Sequence, residues 1–442
     1  MFKRKIYQRL LEWKQNSAGK TALLIEGARR VGKSTVAEAF ARQEYKSYIL
    51  IDFAFAPAFI QDLFKDINDL DYFFLQLQLQ YGVDLHHRES LIIFDEVQFN
   101  PLARQAIKRL VADGRYDYLE TGSLISIKKN VDKILIPSEE RRLEMHPMDF
   151  EEFLWALGDE TTVPLLYQVF TKGIALGEAQ NRQMMLKFRL YMLVGGMPQA
   201  VNAYRESNNF RMVDEVKRDI IHLYEEDFYK IDPGGRTSLL FDAIPAELSR
   251  NSVRYQVSSV LAHERAESVL AELSELAASK TVLIAYHCSD PNIGLASHID
   301  LEKFKLYLAD TGLMVSLMFK DNDFLDNTIY KQLLGNKIAK NLGMLYENIV
   351  AQMLAANNHK LYYYSYYDAE QKRSFKIDFI LSKGNKINPV EVKSSNYRSH
   401  RSLDSFSEKY SDRIQSKYVV HTKDFKKERD VFYMPMYMAQ FL

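Results

Sequence analysis

The chain has 442 residues, too many for one ordinary core, and its 47% hydrophobic and 26% charged residues describe a soluble globular protein of two to four domains. Lys+Arg and Asp+Glu both total 58, so the overall balance announces neither a nucleic-acid nor a membrane partner, and any basic surface must be local. Cys288 is the only cysteine, which excludes an intrachain disulfide and a cysteine-built metal site.

A lone cysteine suits a reducing compartment, and no apolar stretch is long enough to cross a bilayer, so the expectation is a cytoplasmic protein without membrane contact. At the start, Ile6, Leu10, Leu11 and Trp13 recur at helical spacing among cations. This predicts a surface helix packing its apolar stripe on the first domain; a signal peptide needs a continuous apolar core, and none follows.

The first 150 residues alternate apolar, β-rich runs with helical stretches. The runs lie at 21–27, 47–53, 90–95 and 116–121, and 141–145 adds one more. Alternation of this kind builds a parallel sheet covered by helices, with ligands at the carboxyl ends of the strands. Between the first run and its helix stands Gly27-Ala28-Arg29-Arg30-Val31-Gly32-Lys33-Ser34, followed by Thr35. The spacing is that of a phosphate-binding loop. The glycines let amide N–H groups curl around phosphates, Lys33 supplies a charge to the β- and γ-phosphates, and the Ser34 hydroxyl is a Mg²⁺ ligand. The helix that begins there adds its partial positive charge. ATP with Mg²⁺ is therefore the expected ligand.

Four apolar residues, Leu91 to Phe94, lead into Asp95 and Glu96. Asp95 at the strand end is expected in the Mg²⁺ shell, and Glu96 beside it to orient or deprotonate the attacking water. Gln98 stands where a GTPase would show glycine, and no N-K-x-D occurs. The run 118–123 ends in small polar residues; Ser123, with Thr121 behind it, is the expected sensor of the γ-phosphate, the alternative being an ordinary strand-to-turn cap. Arg141 and Arg142, then Arg104, are the candidates for a transition-state arginine.

From 149 to 232 the pattern turns helical. Residues 233–330 mix short helices with two β-like runs, 281–286 and 304–308, an order that suits a winged-helix unit. The helix at 264–278 carries little positive charge, which favours a scaffold version of that fold over a DNA-reading one. Asp310 reads as a helix cap. After 331 the order is α/β again: a helix at 342–355, strands at 360–367, 374–381 and 386–392, a helix near 401–410 and a strand at 416–421.

Asp378, then Glu391 and Lys393 two apart on one strand, with Glu347 on the preceding helix, follow the D…E-x-K order of restriction-endonuclease-like nucleases. Two carboxylates can hold Mg²⁺ and a lysine can stabilise an attacking water; the competing reading is a solvated strand face, or a nuclease-like fold without catalysis. Arg398, His400 and Arg401, just beyond, are candidates for contact with a phosphate backbone.

GARRVGKST, LIIFDEVQ, ETGSL and MHPMDFEEFLWALG resemble the prokaryotic AAA-type ATPases whose C-terminal half is a domain of unknown function. LYMLVGGMPQAV, KLYLADTGL, LYENIVAQML and FKIDFIL…PVEVKSS extend the likeness over nearly the whole chain. The resemblance implies an AAA+ P-loop domain (1–148), a helical lid (149–232), a winged-helix-like domain (233–330) and a restriction-endonuclease-like α/β domain (331–442). Family members often show Gly-Arg shortly before the Met-His-Pro-type segment; here that place reads IPSEERRLEM, so the arginine stays unassigned. The expected function is a Mg²⁺-dependent ATPase coupled to a nucleic-acid-directed, nuclease-like module, with DNA as a partner. The alternative is a nucleotide-gated switch for a protein partner with an inactive nuclease-like domain.

Overall fold

The computed structural model describes residues 1–122, 138–250, 252–292, 294–321, 327–335, 342–368 and 372–442. They form two compact units, residues 1–146 with 278–280 and residues 147–277 with 281–442.

In the first unit, β1 (Ala22–Glu26), β2 (Ser47–Asp52), β3 (Ser90–Asp95), β4 (Asp117–Gly122) and β5 (Glu140–Glu144) make one parallel sheet in the order β2-β3-β4-β1-β5. Every residue of β1, β3 and β4 is buried, which is why the middles of β1 and β3 read as apolar runs, while β4 also buries Asp117, Glu120 and Thr121. β5, at the edge, carries Glu140, Arg141, Arg142 and Glu144 around a single buried residue, Leu143. One core joins Leu24, Ile92, Phe94 and Tyr118 of the strands to Phe73, Phe74, Ile107 and Leu110 of the helices. The first helix, α1 (Ile6–Ser17), buries Ile6, Leu10 and Trp13 of the expected stripe, and Leu11 is half-buried.

The second unit begins with helices, among them Phe150–Ala156, closed by a capping box between Asp149 and Glu152, Glu178–Val194 and Phe210–Ile231. Two mixed sheets follow. β6 (Val282–Cys288), β7 (Ile299–Leu308), β8 (Tyr362–Asp368) and β9 (Arg373–Ile377) lie in the order β7-β6-β8-β9. β10 (Phe379–Lys383), β11 (Lys386–Val392), β12 (Lys417–His421), β13 (Lys426–Glu428) and β14 (Val431–Pro435) lie in the order β10-β11-β12-β14-β13, with β11, β12 and β14 parallel. The ribbon expected at 281–286 and 304–308 forms as β6 and β7, but β6 also pairs in parallel with β8. The expected boundary at 330/331 thus falls inside one unit, whose sheet takes strands from both sides of it. The run expected as one strand at 374–381 breaks at Asp378, leaving β9 in one sheet and β10 in the other.

Two glycine-bearing segments of this unit meet. A Cβ on Gly196 would stand 2.0 Å from the Met148 carbonyl oxygen, and one on Gly312 would stand 2.5 Å from the Cα of Gly195. Only glycine admits that approach. Asp310 caps the helix Thr311–Met318 as expected, and its other oxygen accepts the Gly196 N–H at 2.5 Å. Lys217, fully buried, donates to the carbonyls of Leu193 (2.8 Å) and Gly312 (3.0 Å) and to Tyr330 Oη (2.7 Å). LVGGMP and LADTGL are therefore the two halves of one internal joint.

Gly196→Ala is expected to destabilise the protein by about 2–4 kcal/mol in urea unfolding, because backbone must move to admit the methyl group. Lys217 gives a pH test. Burial lowers its pKa from 10.5 to about 8, against the pull of Asp214 and Asp310. Between those values the unfolded chain holds more protons, so this lysine makes stability rise as pH climbs from about 8. The wild-type minus Lys217→Met stability difference should grow more favourable to wild type over that window.

Candidate functional site

The phosphate loop leaves β1 at Glu26 and ends where α2 (Lys33–Glu44) begins. Gly32 caps that helix at φ 96°, a conformation opposed by any side chain. Gly27 is required for a different reason from the one the motif suggests. Its φ is not positive, but a Cβ there would lie 2.3 Å from the Met145 carbonyl oxygen. The Met145 N–H donates to the Glu26 carbonyl at 2.7 Å, so the chain after β5 lies against the root of the loop. Ala28 and Val31 are buried, Arg29 is half-buried, and Arg30 and Thr35 are exposed.

Lys33 is 7% exposed, and its Nζ donates to the carbonyls of Gly27 and Ala28, both at 3.0 Å. Burial pushes its pKa down, and Glu96 and Asp95 pull it back up. The ammonium thus sits inside the loop on weak neutral acceptors, ready for a more strongly charged one. Ser34 Oγ donates to Asp95 Oδ1 at 2.7 Å, and the Thr121 hydroxyl donates to the same oxygen. This joins the start of α2, the end of β3 and the end of β4 at one carboxylate. The Ser34 hydroxyl beside the Asp95 carboxylate is a donor set that fits Mg²⁺.

Glu96 follows at φ 52°, a left-handed conformation uncommon for a side-chain-bearing residue. Its N–H points to Thr121 Oγ1 at 3.5 Å, and its half-buried carboxylate accepts from the Gln98 amide. The chain leaves the strand direction at Glu96, immediately after Asp95 completes β3. Asp52, level with Asp95 in the sheet, has its pKa raised, mainly by burial. Ser123 lies outside the described residues, whereas Thr121, expected only as its support, touches Asp95 directly.

Arg104 is not available to a nucleotide. It is 2% exposed and locked in a two-pronged ion pair with Glu140, Nε to Oε2 and Nη2 to Oε1 both at 2.8 Å. Arg142 also leans on Glu140, at 3.1 Å, and Arg141 is exposed on β5. Sequence reasoning missed Arg4, just ahead of α1. Its guanidinium donates to the Val31 carbonyl at 2.9 Å and to the His146 carbonyl at 2.6 Å, bracing the loop from behind. Nothing in a cation-rich N-terminus marks one cation as buried.

The second unit assembles the other expected set only in part. Glu347, on the helix Leu342–Ala356, accepts from Lys305 Nζ (2.7 Å) and Tyr307 Oη (2.6 Å). Lys376 Nζ stands 3.6 Å from Glu347 and 3.2 Å from Asp378 Oδ1. The other Asp378 oxygen accepts the Val392 N–H at 2.9 Å. Glu391 pairs with Lys393 at 2.6 Å; burial raises its pKa, and Lys393 opposes the rise. The carboxylates therefore do converge, but Glu347 and Asp378 are met by lysines from β7 and β9 that the D…E-x-K pattern does not include. Among the described residues no group of three or more His, Cys, Asp or Glu is arranged to hold a metal ion. His400 is tied to Asp404 (3.0 Å) and Tyr433 (2.6 Å), while Arg398 and Arg401 are exposed.

Residues 19–154 match the AAA domain family. Residues 185–323 and 342–439 match two families described as domains of unknown function, DUF8612 and DUF4143. No curated protein matches the chain. Among solved structures, the Walker-type ATPase paby2304 of Pyrococcus abyssi is similar at 17% identity, over 72% of this chain and 96% of that one, with a TM-score of 0.42. The RuvB Holliday junction branch migration motor of Thermotoga maritima is similar at 13% identity, over 64% and 89%, with a TM-score of 0.28. A Drosophila ORC structure bound to DNA is similar at 13% identity, over 72% and 96%, with a TM-score of 0.27. The chain carries an AAA-type P-loop ATPase domain followed by further C-terminal domains of unknown function.

Proposed function

We propose that this protein binds ATP with Mg²⁺ and hydrolyses it, and that nucleotide state governs a nucleic-acid-directed module at the C-terminal end. The observation that carries the first part is the meeting of two hydroxyls, Ser34 and Thr121, on Asp95 Oδ1 beside the buried ammonium of Lys33. Mg²⁺, when held by Ser34 and Asp95, supplies charge neutralisation to the phosphate oxygens. Lys33 exchanges its two loop carbonyls for phosphate oxygens, and the loop amides hold the remaining charge. Glu96 holds the attacking water and takes up its proton, while Thr121 keeps Asp95 in register.

A second reading is a nucleotide-gated switch for a protein partner, with no cleavage chemistry. The observation favouring it is that Glu347 and Asp378 already face Lys305 and Lys376.

Steady-state turnover and nucleotide binding, measured side by side, test the first part. Lys33→Ala is expected to lose both, and Glu96→Gln to keep binding while turnover falls by roughly a hundredfold or more. Equal turnover in wild type and both variants would refute hydrolysis at this loop. Incubation of the wild-type chain with linear and supercoiled DNA in Mg²⁺ or Mn²⁺ separates the two readings of the C-terminal end. Cutting that disappears in Lys393→Ala supports the nuclease-like module; intact DNA under every condition supports the switch.

A further inference from the structure

The second unit holds a cleft that the nucleotide chemistry does not use. Its polar lining is Glu247, Ser252, Arg254, Lys305, Glu347 and Lys376. Glu247 is fully engaged by its own neighbours, Arg250 at 2.5 Å, Ser259 Oγ at 2.6 Å and the Gln256 N–H at 2.8 Å. Glu347 and Asp378 are the carboxylates that face Lys305 and Lys376. Two ammonium groups against two carboxylates balance. Arg254 remains, half-buried, with no ion-pair partner among the described residues.

The donors also outnumber their acceptors. An ammonium carries three N–H groups and a guanidinium five. Lys376 is a third exposed, with the two carboxylates at 3.2 and 3.6 Å as its ion-pair partners. Lys305 lies deeper, 4% exposed, and donates to Glu347. Surplus donors and one surplus positive charge in a concave, partly desolvated place favour an oxyanion. The planar fork of Arg254 suits two oxygens of one phosphate, and Lys376 adds a point charge.

We propose that this cleft binds a single phosphate group, gripped by Arg254 and Lys376, without the aid of a divalent cation. Lys305 holds Glu347 and thereby keeps that carboxylate from repelling the ligand. The site does not depend on the nucleotide reading of the first unit. Its phosphate comes either from a free anion or from a nucleic-acid backbone, and the chemistry of the grip is the same for both.

The test uses the full chain carrying Lys33→Ala, so that a result reports the cleft and not the phosphate loop. Inorganic phosphate is titrated calorimetrically, and a short labelled single-stranded oligonucleotide by fluorescence anisotropy, each in EDTA and again in Mg²⁺. At least one probe is expected to bind and to weaken with rising salt. Adding Arg254→Gln should then weaken it by roughly ten- to a hundredfold, with a similar loss in Lys376→Gln and partial rescue in Arg254→Lys. Binding of phosphate alone assigns a free anion, and binding of the oligonucleotide assigns a backbone phosphate; either supports the site. Failure of both probes, affinity unchanged by Arg254→Gln, or binding that appears only with divalent cation overturns it.

Discussion

One carboxylate oxygen organises the first unit. Asp95 Oδ1 takes the Ser34 hydroxyl from the start of α2 and the Thr121 hydroxyl from the end of β4, while Asp95 itself closes β3. That convergence exists because β4 lies between β1 and β3 in a wholly parallel sheet, which brings all three carboxyl ends to one edge. A shift of one residue in either pairing would turn Thr121 to the other face and undo it. The geometry of the loop follows from the same edge. Arg4 holds it from behind, Met145 presses on Gly27, and the Lys33 ammonium fills its hollow.

The second unit depends on another kind of constraint, close backbone approach sealed by buried charge. Gly195 and Gly196 lie against Met148 and Gly312, and Asp310 and Lys217 satisfy the polar groups that this approach strands. Similar logic ties the helix Leu342–Ala356 to β7: Asn348 exchanges two hydrogen bonds with the backbone of Leu308, and Gln352 accepts from Thr311. With that helix so fixed, Glu347 meets Lys305, and the ion pairs around Asp378 follow. Here conserving shape and placing charge are the same operation.

Local features were legible in the sequence and distant ones were not. The loop from Gly27 to Ser34 and the apolar strand before Asp95 each lie within a few residues, so spacing alone revealed them. Gly27's true neighbour, Met145, comes from beyond the fifth strand, and no local pattern announces it. Arg4 reads as one cation among several. Lys305 interrupts the apolar run FKLYL, a signal of a buried ammonium, but its partner Glu347 stands on the helix Leu342–Ala356, with two other helices between them in the chain. Asp378 lies inside the run 374–381 that reads as one strand, and the break it makes between two sheets is hidden, because residues on both sides are equally strand-like. The ion pair that removes Arg104 from the nucleotide was equally hidden, since helix and strand meet only after folding.

The proposed ATP binding rests on Lys33, the loop amides and the Ser34–Asp95 pair acting together on one triphosphate. Its most direct test is a calorimetric titration of the purified chain with ATP, once with Mg²⁺ and once with EDTA. Saturable binding that tightens markedly with Mg²⁺, and loses that gain in Asp95→Asn, is the expected result. A flat titration, or affinity indifferent to both the metal and Asp95, would contradict it.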